Sequence, residues 1–250
     1  MPTLYLVIPF FNETATLQAA VDRVLAVDTP DGWSQHLILI DDGSEQSSAA
    51  VGKTLAAAHS QITLLKHDVN RGKGAAVRTG YAAIIASAAD ADLAVIQDAD
   101  LEYDPAELYK LIEVLQREGA DALFGNRWGT PARSLKARVH RLGNRFLTHL
   151  SNRATGLRLT DMECCYKLIT IPMLKRILPE LDEDRFGIEP QLAAVLARHD
   201  AHVVESAVSY APRGFDEGKK IGAKDALEAI KVIRRERKRT KAHTTKKGSA

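Results

Sequence analysis

Three short clusters in this chain have the residue types and spacing to handle a phosphate-bearing ligand. The first is Asp98-Ala99-Asp100-Leu101-Glu102. A hard divalent cation commonly takes one or two carboxylates and keeps waters and substrate phosphates, and alternate acidic residues beyond a strand can offer that arrangement. The same residues also suit a polar turn leading into the helix that opens at Pro105. The second cluster, Asp41-Asp42-Gly43-Ser44, reads either as a solvated turn or as a carboxylate accepting from a ribose or base donor. The third, Asn70-Arg71-Gly72-Lys73-Gly74, precedes a helix, so its backbone N–H groups could meet an anion. It lacks the length and spacing of a Walker A loop, and no Gly-x-Gly-x-x-Gly fingerprint occurs, so ATP hydrolysis and NAD redox chemistry are poorly supported.

The elements that must position these clusters follow from hydrophobic periodicity. Strands are expected at Leu4–Pro9, His36–Ile40, Ile62–Leu65, Leu93–Ile96 and Ala122–Phe124, with helices at Thr14–Val27, Lys73–Ala89 and Pro105–Glu118. Such alternation implies mostly parallel strands flanked by helices, with ligands meeting the sheet at the strands' carboxyl ends. Asn12-Glu13, Asp41-Asp42, Asp98–Asp100 and Asn126-Arg127 all fall just past those ends. Beyond Asn126 we expect a basic helix over Arg133–Thr155, a strand-pair region at Leu159–Ile171, a helix at Gly187–Arg198 and a strand at His202–Ala211. A glycine-rich loop at Gly214–Gly222 and a final amphipathic helix over Ala223–Arg239 follow. Residues 1–230 read as a single domain, the terminal helix running on to about 239, and 240–250 as a basic, disordered tail.

The 250 residues suit one α/β domain able to bury its own core. The two cysteines, Cys164 and Cys165, are adjacent. They read as strand residues facing opposite ways rather than as redox or metal groups, and a reducing compartment suits them. Net charge is +2, yet Lys231–Ala250 carries +8, so the other 230 residues carry −6. A mildly acidic body with a basic tail implies attraction to an anionic surface. No secretory signal and no bilayer-spanning run are expected, which places the chain in the cytoplasm, free or peripheral on the cytoplasmic membrane face.

Five segments in this order carry a resemblance: Val7-Ile8-Pro9-Phe10-Phe11-Asn12-Glu13, Ile40-Asp41-Asp42-Gly43-Ser44, Asn70-Arg71-Gly72-Lys73-Gly74, Gln97-Asp98-Ala99-Asp100-Leu101 and Gly125-Asn126-Arg127. Two later ones strengthen it, Leu159–Lys167 and Tyr210-Ala211-Pro212-Arg213 leading into Glu217–Ile221. Together they resemble the family 2 glycosyltransferases, nearest the branch similar to dolichyl-phosphate mannosyltransferase and bacterial polyprenyl-phosphate hexosyltransferases. The resemblance implies a GT-A type fold, with a mixed, mostly parallel central sheet, and an inverting transfer of a hexose from a UDP- or GDP-sugar. It places Pro9, Phe11 and Glu13 around the base, and Ile40 and Asp42 on base and ribose. Asp98, Ala99 and Asp100 would contact ribose, diphosphate and a Mg²⁺ or Mn²⁺ ion, with Glu102 completing the metal's ligands. Arg127, Arg213 and Lys219 would face the diphosphate or the incoming phosphate.

The acceptor implied is a polyprenyl or dolichyl phosphate at a membrane surface, whose anionic oxygen needs no strong base. A saccharide or other hydroxyl acceptor would need a carboxylate to take its proton. Asp161 is the candidate for that role, or else a structural acceptor at a strand start. Arg133, Lys136, Arg138, Arg141 and Arg145 form either a solvated helix face or a landing strip for anionic headgroups, and the basic tail invites the same two readings. A reading different in kind, a non-enzymatic nucleotide- or nucleic-acid-binding protein, leaves the strand-end carboxylates idle, and nucleic acid is not an expected partner.

Overall fold

The computed structural model describes residues 1–129, 135–212 and 223–247. Seven strands form one sheet: β1 (Thr3–Phe10), β2 (Ser34–Asp41), β3 (Ile62–Lys66), β4 (Leu93–Ile96), β5 (Ala122–Asn126), β6 (Lys167–Thr170) and β7 (Val203–Ala207). Their order across the sheet is β3-β2-β1-β4-β6-β5-β7. β1 pairs parallel with β2 and β4, β2 with β3, and β5 with β7. Only β6 is reversed, antiparallel to both β4 and β5. The mixed, mostly parallel sheet expected from the alternation is therefore present, and the exits of six strands share an edge with the entry of the seventh.

Helices flank this sheet: α1 (Leu17–Leu25), α2 (Gln46–Ala58), α3 (Lys73–Ile85), α4 (Leu108–Glu118), α5 (Leu135–Thr155), α6 (Ile171–Ile177), α7 (Ile188–Arg198) and α8 (Ala223–Lys247). The central strands β1, β2 and β4 are nearly continuous apolar runs because both their faces are covered, and Leu6, Val7, Ile8, Leu37, Leu39, Ile40 and Ile96 are wholly buried. Helix α3 lies very close to the sheet because its Gly80 has no side chain. A Cβ there would stand 2.6 Å from Val7 Cγ1 and 3.1 Å from Ile40 Cδ1.

Several expectations change. Helix α2 had no counterpart in the sequence reading, because its Ser, Ala and Gly residues give a weak apolar stripe. The strand-pair region at 159–171 contracts to β6. Residues 161–166 form a turn whose polar groups are bound elsewhere, and Cys164 and Cys165 are buried thiols in that turn rather than strand residues. Beyond Arg239 the chain stays helical to Lys247, where a disordered tail had been expected. Arg235 and Arg239 help hold α8 down by pairing with Asp182, and Arg235 also pairs with Glu183. Arg133, Arg213, Lys219 and the Gly214–Gly222 loop lie outside the described residues, as does the end of the tail beyond Lys247. No helix among the described residues is long and apolar enough to cross a membrane.

The α3–β1 contact makes a direct test. Gly80→Val should overpack it and cost about 1–3 kcal/mol, read as a lower urea midpoint at unchanged slope.

Candidate active site

At the shared edge the strand ends open into a cleft of about 330 Å³, lined by residues from most of the elements just described. Pro9, Phe11 and Glu13 enter from the end of β1, Asp42 from β2, Asp98, Ala99, Asp100 and Glu102 from β4, and Arg127 from β5. Nine of the residues expected at the site therefore meet in one cavity. Ile40 does not join them; it is core, packed near Gly80 beneath α3.

Asp42 is placed in the cleft but is already occupied. Its carboxylate accepts from the backbone N–H groups of Arg71 (2.9 Å) and Gly72 (2.7 Å) and from Asn70 Nδ2 (3.0 Å), and it bonds to His67 Nδ1 at 2.7 Å. The anion that meets the 70–74 backbone is thus the protein's own. Gly72 can hold this loop because it adopts φ +104°, and a Cβ there would lie 2.4 Å from the carbonyl oxygen of Asp184. Asp42 shapes the cleft wall by fixing the loop that begins α3.

Asp98 is similarly engaged. Lys73, at the first turn of α3, pairs with Asp98 at 2.8 Å and with Glu189 of α7 at 3.1 Å. Glu189 in turn pairs with the fully buried Lys167 of β6, which also donates to the carbonyl of Cys164. Burial pushes the Asp98 carboxyl up, but the Lys73 ammonium outweighs it and holds the group below the usual carboxylate range. Asp98, Asp100 and Glu102 all line the cleft. Among the described residues no group of three His, Cys, Asp or Glu side chains converges to hold a metal ion.

Asp100 and Glu102 also present carboxylate oxygens at the cleft. Between them Leu101 takes φ +64°, a left-handed conformation that is unusual for a bulky residue. Asp100 Oδ1 accepts from the Glu102 N–H at 3.1 Å, and Glu102 Oε2 accepts from the Tyr210 hydroxyl at 2.9 Å. The turn into α4 is capped instead by Asp104, which accepts from the Ala106 N–H. One or two carboxylates suffice for a hydrated divalent cation that also binds substrate phosphate, and the carboxylates at this edge of the cleft are of the type that fits such an ion.

Arg127 is the most constrained cation in the cleft. Asp161 receives its Nε at 2.7 Å and its Nη2 at 2.6 Å in a two-pronged pair, and also accepts the Arg127 backbone N–H at 3.1 Å. The guanidinium carbon lies 5.2 Å from the Tyr210 ring centre and 5.4 Å from that of Trp128. Asp161 is fully buried behind Arg127 and does not line the cleft, so the structural role fits it better than that of a base. Its own turn is held by Glu205 of β7, which accepts from the N–H groups of Thr160 and Asp161.

Glu163 lines the cleft without having been singled out in the sequence. It arrives there because β6 is reversed, so the residues preceding that strand face the same edge as the residues following the others. Its Oε1 is buried and makes no hydrogen bond. Burial, followed by the nearby Glu189, pushes its carboxyl up to about 7. Other additions to the cleft are Lys73, Glu189, Arg185 and Phe186, with His140 and Asn144 from α5 and Tyr210 from beyond β7. The Cys164 thiol, pushed up to about 11 by burial, is unsuited to nucleophilic work.

A seven-stranded mixed sheet with strand-end carboxylates and a clamped arginine around one cleft defines a nucleotide-sugar-binding fold of the GT-A type. Residues 5–178 match the family model described as glycosyl transferase family 2, and the chain belongs to that family. Among curated relatives, the undecaprenyl-phosphate 4-deoxy-4-formamido-L-arabinose transferase of Shewanella sediminis is 30% identical over 200 residues, covering 79% of this chain and 56% of that protein. The protein of the same name from Aeromonas hydrophila is 28% identical over 215 residues, covering 85% and 61%. The chain thus spans about three fifths of the length of these relatives. A solved structure of glucosyl-3-phosphoglycerate synthase from Mycobacterium tuberculosis, in complex with Mn²⁺, uridine diphosphate and glucosyl-3-phosphoglycerate, superposes with a TM-score of 0.66 at 20% identity. That match covers 94% of this chain and 80% of the other.

The raised Glu163 carboxyl carries a signed prediction. Its folded-state value lies above the ordinary 4.5, so the stability linked to it is complete below about pH 4.5 and is lost as pH rises through about 7. Glu163→Gln should remove that loss. The variant's Tm relative to the parent should therefore rise between pH 5 and pH 8, measured by calorimetry.

Proposed function

We propose that this chain transfers a hexose, with inversion, from a UDP- or GDP-sugar to a polyprenyl phosphate presented at a membrane surface. The observation that carries the reading is the meeting of Phe11, Asp100, Glu102 and Arg127 in one cleft at the strand exits. The relatives named as undecaprenyl-phosphate sugar transferases support the acceptor class.

Phe11 offers a face for the base, and Pro9 and Glu13 the rim around it. A divalent cation, Mg²⁺ or Mn²⁺, held by Asp100 and Glu102 would neutralise charge building on the departing diphosphate. Arg127 adds fixed positive charge at that edge. Its pair with Asp161 uses two of five guanidinium N–H donors and sets the direction of the others before substrate arrives. Asp161 is thus a positioning residue. Arg213 and Lys219 are assigned to the diphosphate by resemblance. The acceptor's phosphate oxygen is already anionic, so attack at the sugar's anomeric carbon needs no proton removed.

A second reading keeps the donor chemistry but uses a hydroxyl acceptor. Glu163 favours it, since a carboxyl titrating near 7 inside the cleft suits proton transfer. In that case Glu163, rather than Asp161, is the base.

Two measurements test these readings. A panel of UDP- and GDP-sugars, with and without polyprenyl phosphate, should give product only when the lipid phosphate is present. Product with a soluble hydroxyl acceptor alone would replace the first reading by the second. Asp100→Ala should lower metal-dependent transfer by about a hundredfold or more and leave Tm nearly unchanged, because the side chain is only partly buried at the cleft. Full activity with metal still required would remove Asp100 from the site.

A further inference from the structure

Helix α5 shows an outer face that the cleft does not use. Its 21 residues contain no aspartate or glutamate. The inner face is fixed in place. Leu147, Thr148 and Ser151 are buried, Thr148 Oγ1 accepts the Met162 N–H, and Asn152 bonds to both backbone groups of Leu159. His140 and Asn144 reach the cleft.

On the outer face Val139, Leu142 and Phe146 are 63%, 69% and 54% exposed. These are three of the six large hydrophobic side chains that stand exposed among the described residues. Spacings of three and four put all of them in one row along the helix. Arg138, Arg145 and His149 run beside the row on the same exposed arc, and Arg153 continues it one turn on. An apolar row flanked on its own helix by basic and no acidic groups is costly in water and complementary to a bilayer surface, with acyl chains below and anionic headgroups around.

We infer that α5 seats the enzyme on anionic membranes by burying Val139, Leu142 and Phe146 at the headgroup–acyl boundary while its arginines pair with lipid phosphates. This goes beyond the proposed reaction, since it concerns a surface and not the transfer step. It also deepens that proposal, because the helix carrying the row also lines the cleft that would receive a lipid phosphate.

The test uses the full chain and vesicles that contain no polyprenyl phosphate. Sedimentation should show binding to mixed phosphatidylcholine–phosphatidylglycerol vesicles, weaker on phosphatidylcholine alone and weaker at high salt. Because the three side chains are more than half exposed, the Leu142→Glu, Phe146→Glu double variant should fold normally and still bind nucleotide-sugar. Its vesicle partition coefficient should fall about tenfold or more. Equal binding by parent and double variant would overturn the inference. So would a parent that ignores vesicles but self-associates through the row, seen as a dimer by sedimentation velocity that the variant loses. Transfer to detergent-solubilised polyprenyl phosphate separates the two proposals. Intact transfer without vesicle binding sinks the surface alone, whereas vesicle binding without transfer supports the surface and sinks the acceptor.

Discussion

A chain of alternating charges that runs from the half-buried Asp98 and Lys73 to the buried Glu189 and Lys167 underlies the geometry of the whole cleft. It ties the end of β4 to the first turn of α3, then to the first turn of α7, then to the start of β6. Each member sits where removing a partner would leave an uncompensated charge away from water, the kind of loss that costs several kcal/mol. Glu189 gains further from the positive end of α7. The chain also sets the charge that surrounds the Asp98 carboxylate. Asp98 meets the cleft with Lys73 already beside it, whereas Asp100 and Glu102 lie one turn further out.

The same principle recurs twice at the rim. Asp42 is saturated by backbone and side-chain donors from 67–72, and Asp161 is saturated by Arg127 and held from behind by Glu205. Both acidic residues act as internal counter-ions or acceptors that make a loop or an arginine rigid. That rigidity has a function. A cation whose direction is fixed before the reaction stabilises developing charge without having to reorganise.

Much of this was legible from residue order, and the parts that were not have identifiable causes. The parallel strands announce themselves as short apolar runs ending in acidic pairs, so Asp42, Asp98, Asp100 and Arg127 could be placed at one edge before any coordinates. Sequence order says nothing about partners such as Lys73 for Asp98, or Arg127 for Asp161 across 34 positions, and so it could not separate a ligand carboxylate from a structural one. Ile40 looked like a site residue because of its neighbours, but the strand turns it into the core. Glu163 was hidden because the reversal of β6 depends on pairing with β4 and β5, which no local pattern in 159–171 encodes. Helix α8 outlasts its apolar stripe, and its ion pairs with Asp182 lie far away in sequence.

The single reversed strand divides labour around the cavity. Groups assigned to the nucleotide descend from the exits of β1, β2, β4 and β5, whereas Glu163 and the turn it sits in come from the approach to β6, and His140 and Asn144 from α5. These two sets are separate stretches of chain, joined directly by the Arg127–Asp161 pair and by the pairing of β6 with β4 and β5. A change before β6 that disturbs Asp161 would therefore be felt at Arg127 on the facing wall, so that turn is free to vary only at positions that carry no bond across to β5.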